Sequence, residues 1–551
     1  MFEVFSWSYR FIYTLLTAGF ALSCWMTYFK NIRICRYVSP LLNLVLIAMN
    51  FALISYYFEP LDYMALYIGG GLAAAYMISR MILAKLLNDG NCLMFDVVCN
   101  MLQSGLAMLY RLSPEYGTKQ AYIAAAGILG FFASFIFMKR FEVKYKHHLL
   151  LGGLILALLL TTQIWGIEIN GSKNWINLYF TNVQPSEFIK LIFVFFTACL
   201  LSREPSRKRF AGIAASMLTV TAFFVLQRDI GSAFLFFTVY LVMLFSRDVK
   251  GFYTAASAGA AIGGAFISYF AFSYIRSRVL AWINPWKYIS GKSYQITQSL
   301  FAVATGGFIG TGLYLGDPKF IPAVHTDFIF SALCEETGIL NGISLLAMYA
   351  LLSIIGMDIS SKCSNPIYSS AALGLTSLTA IQTLVIVCGV LNIIPITGVT
   401  LPFVSYGGSS LLSQFMNVGI LYYISTDKAS QTSEAESLVP RTGVRVFHNA
   451  APDEYWADYA PPIAPKALRT ITLISNHPPP ELKAAAELLR EEGVVVRRLG
   501  RNAEVRLVGP EDISAPDAVI TIGKSVVYAI AQRKPVYMYD RFGGDGWLGV
   551  S

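Results

Sequence analysis

Residues 294–338 read YQITQSLFAVATGGFIGTGLYLGDPKFIPAVHTDFIFSALCEETG, and this stretch organises the rest of the chain. It starts amphipathic, with Tyr294, Gln295 and Gln298 among apolar residues, and loosens through Gly306, Gly307, Gly310, Gly312 and Gly316. It then presents His325, Thr326 and Asp327 and enters an apolar helix that still carries Glu335 and Glu336. Glycines this dense let backbone approach a ligand or another helix closely. Carboxyl groups at the mouth of a membrane helix are costly, so they face a polar cavity, a partner charge or a substrate. Taken alone, the same residues also suit an external loop whose Asp caps the next helix.

Outward from this stretch the composition decides the class. Of 551 residues 55% are hydrophobic and 14% charged, which excludes an ordinary soluble protein and implies a polytopic membrane protein. The first apolar run lacks a cleavage pattern and is expected to be a retained span. About thirteen spans are expected: near 10–29, 39–58, 62–86, 93–112, 119–138, 148–166, 184–202, 209–227, 230–246, 253–274, 326–356, 370–392 and 404–425. The run 294–314 is read as an interfacial or re-entrant helix, not a further span.

The formal charge of +9 needs no nucleic acid, because cytoplasmic membrane loops collect Lys and Arg. Lys30 and Arg36 follow the first span, Lys139, Arg140, Lys144 and Lys146 fill the loop 139–148, and loops 202–209 and 247–250 are also basic. With thirteen spans these loops share one side, the cytoplasm. The N-terminus and loops 167–183, 275–325 and 393–403 are then expected outside, and the C-terminal tail inside. The 8 Cys show no C-x-x-C pair, so neither a disulfide framework nor a zinc site is indicated.

Four further polar groups lie on or near the outer face. In NGSKNWINLYFTNVQPSEFIK, Trp175 precedes a helix that Pro185 opens. Glu187 and Lys190 share one face of that helix and can pair, although an ordinary helix-start ion pair would look the same. Gln227, Arg228 and Asp229 form a polar island between two spans. Arg276, Arg278, Lys287, Lys292 and Lys319 populate the large loop against the positive-inside bias, which invites an anionic partner such as a lipid-linked pyrophosphate or generic headgroups. Finally, NIIPITGVTLPFVSYGGSS, residues 392–410, holds Pro395 and Pro402, which do not fit one regular helix. With Thr397, Ser405, Ser409 and Ser410 it reads as a broken segment lining a cavity.

Together, W-I with Q-P-S-E-x-x-K (Trp175 to Lys190), Y-Q-I-x-Q-S (Tyr294 to Ser299), H-T-D-F-I-F…E-E-x-G (His325 to Gly338) and P-I-T-G-V-x-L-P-F-V-S-Y-G-G-S-S (Pro395 to Ser410) resemble the SEDS family of FtsW, RodA and SpoVE. The resemblance covers roughly residues 92–425. It implies an all-α polytopic fold with a ten-helix core at 91–425, to which residues 1–90 add three transmembrane helices. It also implies an inverting peptidoglycan glycosyltransferase that polymerises lipid II into β-1,4-linked glycan outside the cytoplasmic membrane. The family's catalytic aspartate falls on Asp327, and its Glu and Lys fall on Glu187 and Lys190. Asp327 would be the general base, Arg276, Arg278 or a divalent cation (Mg or Mn) would stabilise the leaving pyrophosphate, and Trp175, Gln295, Gln298, His325, Thr397, Ser405 and Ser409 would contact substrate. The implied partner is a class B penicillin-binding transpeptidase. One departure is Arg228, where the family commonly has Pro in Q-P-D-x-G. A flippase for a lipid-linked precursor is the competing reading, but it would spread polar groups through the bilayer depth.

After residue 425 the composition changes. Residues 426–466 read as a linker, and 467–551 alternate strand and helix as a small α/β, Rossmann-like unit. The run Asp517 to Gly544 resembles the nucleotide-binding half of a GT-B glycosyltransferase, with Gly523, Lys524 and Ser525 at a strand-to-helix turn suited to phosphate or to a plain helix start.

Overall fold

The structure, a computed structural model, describes residues 2–438 apart from short breaks at 33, 59, 88–91, 170, 178–181, 203–206, 247–250 and 292. Beyond 438 it describes 469–474, 480–499, 516–521, 536–540 and 543–548. The chain divides into two compact units, Met1–Lys428 and Ala429–Ser551.

The first unit is mostly helical. Its long helices are α1 (Phe2–Lys30), α2 (Cys35–Tyr57), α3 (Tyr63–Leu86), α4 (Leu93–Leu112), α5 (Pro114–Arg140), α6 (His148–Trp165), α7 (Pro185–Leu201), α8 (Arg207–Leu226), α9 (Ile230–Phe245), α10 (Phe252–Ala271), α14 (Ile339–Lys362), α15 (Pro366–Val390) and α16 (Gly408–Leu438). Shorter helices are α11 (Ser273–Ile283), α12 (Tyr294–Gly306) and α13 (Ile329–Thr337). In hydrocarbon every backbone polar group must be satisfied within the protein, which is why these apolar runs are helices. Among the described residues nine helices are long and apolar enough to cross a membrane, and Gly212–Leu226 and Ile230–Phe245 are shorter apolar stretches. Helix α12, at 13 residues, spans only about 20 Å and cannot cross a bilayer.

The span expected at 326–356 is two helices, α13 and α14, broken at Gly338, whose φ is 88°. The glycine-rich run fills the break. Ile339 N donates to Gly307 O at 2.9 Å, Leu340 N to Phe308 O at 3.1 Å, and Thr311 and Gly312 N to Glu335 and Glu336 O, each at 2.9 Å. A Cβ on Gly310 would strike Glu336 O, and one on Gly338 would strike Phe308 O. Glycine is therefore required where two backbones cross.

Helices α1 to α3 are joined to α4 by a buried polar seam. The Tyr9 hydroxyl donates to Asn50, and Asn50 Nδ2 donates to Gln103 Oε1 at 2.6 Å. Asn100 Nδ2 donates to Asn43 Oδ1 at 3.1 Å. Asp96 accepts from Arg80 Nε at 3.0 Å and from the Tyr76 hydroxyl at 2.7 Å. Helix α1 also grips the glycine-rich run: Arg10 Nη1 donates to Gly310 O at 2.9 Å and Ser6 Oγ to Leu313 O at 2.6 Å.

Between α6 and α7 a small antiparallel sheet forms, in the order β1 (Ile167–Ile169), β2 (Ser172–Asn177), β3 (Asn182–Val183). It is clipped to the turn between α8 and α9, because Lys173 N and Ser172 Oγ both donate to Gln227 O at 3.0 Å.

The second unit contains β4 (Thr470–Ile474), α17 (Pro480–Glu491), β5 (Val495–Leu499), β6 (Ala518–Thr521), β7 (Val536–Asp540) and β8 (Gly543–Leu548). The strands order as β5-β4-β6-β7-β8, parallel except for β8. Helix α16 runs on to Leu438, into the segment expected to be a linker. The remainder of that linker, and Gly523, Lys524 and Ser525, lie outside the described residues, as does Lys292.

Candidate active site

A cavity of about 720 Å3 opens where the β1–β3 hairpin, the start of α9, the α10–α11 junction and the segment 397–410 converge. Its wall includes Trp175, Glu187, Arg278, Asp327, Thr397 and Ser409. Six expected site residues, drawn from four separate stretches of the chain, are thus brought to one opening.

Pro185 at the first turn starts α7 and sets the Glu187–Lys190 face inward. Lys190 Nζ lies 2.7 Å from Glu187 Oε1, with both side chains buried. Ser413 Oγ donates to Glu187 Oε2 at 3.2 Å, and Lys190 Nζ also reaches Gln382 Oε1 at 3.3 Å. Lys190 sits behind the wall rather than on it, and holds the carboxyl group that does line it.

Asp327 lies just ahead of α13, outside the spanning helices. Its backbone surroundings are fixed by the broken segment: Ser405 Oγ donates to Thr326 O at 2.6 Å, and Tyr406 N to His325 O at 2.9 Å. Burial pushes the Asp327 carboxyl up to about 6, with the Thr326 hydrogen bond and the Arg278 charge pulling the other way. Gly398 passes beside Asp327 with φ 75°, a left-handed conformation that glycine adopts without strain. Arg278 Nη1 donates to Ile396 O and Thr397 O, both at 3.3 Å, so the segment 396–406 fixes both the arginine and the backbone just ahead of Asp327.

The other expected residues fall elsewhere. His325 stacks on Tyr116, ring centroids 4.6 Å apart, and burial holds its imidazole below the ordinary value. Ser405 is buried beneath the wall, bonding backbone. Arg276 is exposed and is not on the cavity wall, nor are Gln295 and Gln298 on α12. Sequence patterning puts these three near the motifs in the chain, but α11 and α12 turn them away. The wall also contains Asn174, Asp229, Ser232, Tyr274 and Tyr406, which were not on the expected list. Asp229 was visible as part of a polar island; Asn174 and Tyr274 had no signal beyond proximity to Trp175 and Arg278.

Among the described residues no three His, Cys, Asp or Glu side chains converge as metal ligands. Of the cavity carboxyl groups, Glu187 is engaged by Lys190 and Ser413, and Asp229 by Asn174 and Ser232. This donor set does not assemble a protein-held cation site, so no step is routed through one.

Residues 93–430 match the model of the FtsW/RodA/SpoVE family, described as cell cycle protein. The chain belongs to this family. It is 33% identical over 362 residues to "Peptidoglycan glycosyltransferase RodA" of Mycobacterium bovis, covering 60% of this chain and 77% of that one. It is 33% identical over 340 residues to "Probable peptidoglycan glycosyltransferase FtsW" of Geobacter metallireducens, covering 58% and 91%. Among solved structures it resembles a chain from "Structural coordination of polymerization and crosslinking by a peptidoglycan synthase complex", with a TM-score of 0.53, 25% identity, and coverage of 61% and 97%. The cavity lies wholly inside the FtsW/RodA/SpoVE match, whereas α1 to α3 and the strands of the second unit lie outside it. Arg228, where the FtsW/RodA/SpoVE pattern commonly has Pro, has φ 58°, a conformation the proline ring cannot adopt.

Proposed function

We propose that this chain is an inverting peptidoglycan glycosyltransferase that polymerises lipid II into β-1,4-linked glycan at the outer face of the cytoplasmic membrane. The observation that carries the reading is the presence of Asp327 and Arg278 on one cavity wall inside the family-matched region. Asp327 is the general base: its carboxylate takes the proton from a sugar 4-hydroxyl as that oxygen attacks the anomeric carbon, inverting an α-linked pyrophosphate. A carboxyl group raised toward neutrality is a better proton acceptor than an ordinary aspartate, and still releases its proton at physiological pH. Arg278 meets the negative charge that grows on the departing pyrophosphate. Glu187, locked by Lys190, orients a substrate hydroxyl.

The competing flippase reading asks for an opening lined by polar groups through the bilayer. Deeper polar residues are present, but Thr379, Gln382, Gln414 and Asn417 bond to one another and do not line the cavity.

The ten family helices α4 to α10 and α14 to α16, with α1 to α3 ahead of them, make thirteen spans in this reading. The N-terminus is outside and the second unit, an α/β sheet, cytoplasmic. The working partner is a class B penicillin-binding transpeptidase. The test is glycan synthesis from lipid II by purified protein, with and without that partner and residues 430–551. Polymer from wild type and none from Asp327→Asn is expected. Absence of polymer from every form, partner and divalent cation supplied, overturns the reading.

A further inference from the structure

We propose that Asn174, with Tyr274 and Thr397, forms a subsite of this cavity that reads hydrogen-bond donors on the substrate's amino sugar, its acetamido N–H and its hydroxyls. The proposal rests on the glycosyltransferase reading above.

Asn174 lies on β2, is 3% exposed, and lines the cavity. Its Nδ2 donates to Asp229 Oδ2 at 2.5 Å. Asp229 in turn caps α9: its Oδ1 accepts from Ser232 N at 2.9 Å and its Oδ2 from Ser232 Oγ at 2.7 Å. A carboxylate only accepts, so the Asn174 amide must turn its NH2 group toward Asp229. That orientation leaves Oδ1 as the free end, and among the described residues Oδ1 has no partner. Two further polar atoms on the same wall, Thr397 Oγ1 and Tyr274 Oη, also have none. A buried amide oxygen without a donor is unfavourable, and together with two unpartnered hydroxyls on the same wall, which can donate or accept, it points to a ligand that supplies the missing bonds.

The chemistry selects which part of the substrate. The amide oxygen can only accept, and a pyrophosphate carries only acceptors at neutral pH. Asn174 therefore disfavours the phosphate and suits a group bearing N–H or O–H. The anion has its own partner in Arg278. Arg278 thus serves the pyrophosphate and the Asn174 amide oxygen the sugar, while the Tyr274 and Thr397 hydroxyls stand beside Arg278 and can bond either. The subsite is rigid as well. Residues 172 and 173 tie β2 to Gln227, and the start of α9 abuts the Thr397 backbone, where a Cβ on Gly231 would come within 2.5 Å of Thr397 O.

The experiment measures binding of lipid II and of undecaprenyl pyrophosphate, which lacks the sugars, to the purified full chain. Asn174→Leu keeps the volume and leaves Asp229 its two Ser232 bonds; Tyr274→Phe removes one hydroxyl from a partly exposed residue. Asn174→Leu is expected to weaken lipid II binding about tenfold, the worth of one hydrogen bond, and to leave undecaprenyl pyrophosphate binding unchanged. Tyr274→Phe is expected to weaken lipid II binding as well. Wild-type lipid II affinity in both variants overturns the subsite. So does an equal loss for both ligands in Asn174→Leu with wild-type behaviour of Tyr274→Phe, which marks a general disturbance of the hairpin. Wild-type protein that binds neither ligand fails the glycosyltransferase reading itself, and the subsite falls with it.

Discussion

Lys190 and Glu187 are paired at 2.7 Å on one face of α7, with their side chains 3% and 6% exposed. Lys190 is buried behind the cavity wall, so the cation that balances Glu187 comes from within the protein. Lys190→Met would leave a carboxyl group without its cation, an arrangement that costs about 3–5 kcal/mol. The expected result is a marked fall in the thermal unfolding midpoint in detergent. The double variant Glu187→Gln/Lys190→Met, which has no orphaned charge, should recover much of it while remaining inactive. A single variant that melts like wild type would show that the pair does not hold this wall.

Asp327→Asn preserves shape and removes the proposed base. Initial rates of lipid II polymerisation should fall by about 10²–10⁴, the usual contribution of a positioned base, with an unchanged melting curve. Near-normal turnover would remove Asp327 from the role.

The pH dependence follows from the same group. Burial raises the Asp327 carboxyl to about 6, so on lowering the pH through that value it gains a proton and ceases to be a base. Rates should be level above about pH 7 and fall about tenfold per unit below the inflection. Arg278 pulls the carboxyl down, so Arg278→Gln should move the acid limb to higher pH as well as lower the rate. Initial rates across pH for the two proteins check both signs.

Gly310 and Gly338, at φ 80° and 88°, sit where two backbones cross. Alanine at either should destabilise by at least about 1–2 kcal/mol from the backbone alone, before the collisions are counted. Gly264→Ala on α10, with nothing within 4 Å of the added carbon, is the control and should be neutral or slightly stabilising. Unfolding midpoints of the three variants decide it.

Most helices were legible because apolar runs in a bilayer have one way to satisfy their backbone. The Glu187–Lys190 pair was legible because i,i+3 spacing is a local property of one helix. The break at Gly338 was not, since apolar runs lie on both sides of it and the reason for it, the run Gly307–Gly312, lies earlier in the chain. Arg276 and Arg278 are two residues apart on α11, so composition treats them alike, yet only Arg278 lines the cavity. Asn174 gains its meaning from Asp229, a partner 55 positions away that only the folded hairpin brings near.

The seam between the first three helices and α4 has an asymmetric consequence. Asp96, Asn100 and Gln103 are each no more than 2% exposed because α2 and α3 cover them. A chain trimmed to its family-matched part would present a carboxyl and two amides to lipid tails, the environment least able to solvate them. Acquiring the extra helices could proceed one polar substitution at a time, each tolerated under existing cover. Losing them could not retrace those steps singly, because the cover would go before the polar groups did. The cover and the polar groups beneath it thus work as a ratchet: α4 can no longer be stripped of α1 to α3 without also changing Asp96, Asn100 and Gln103.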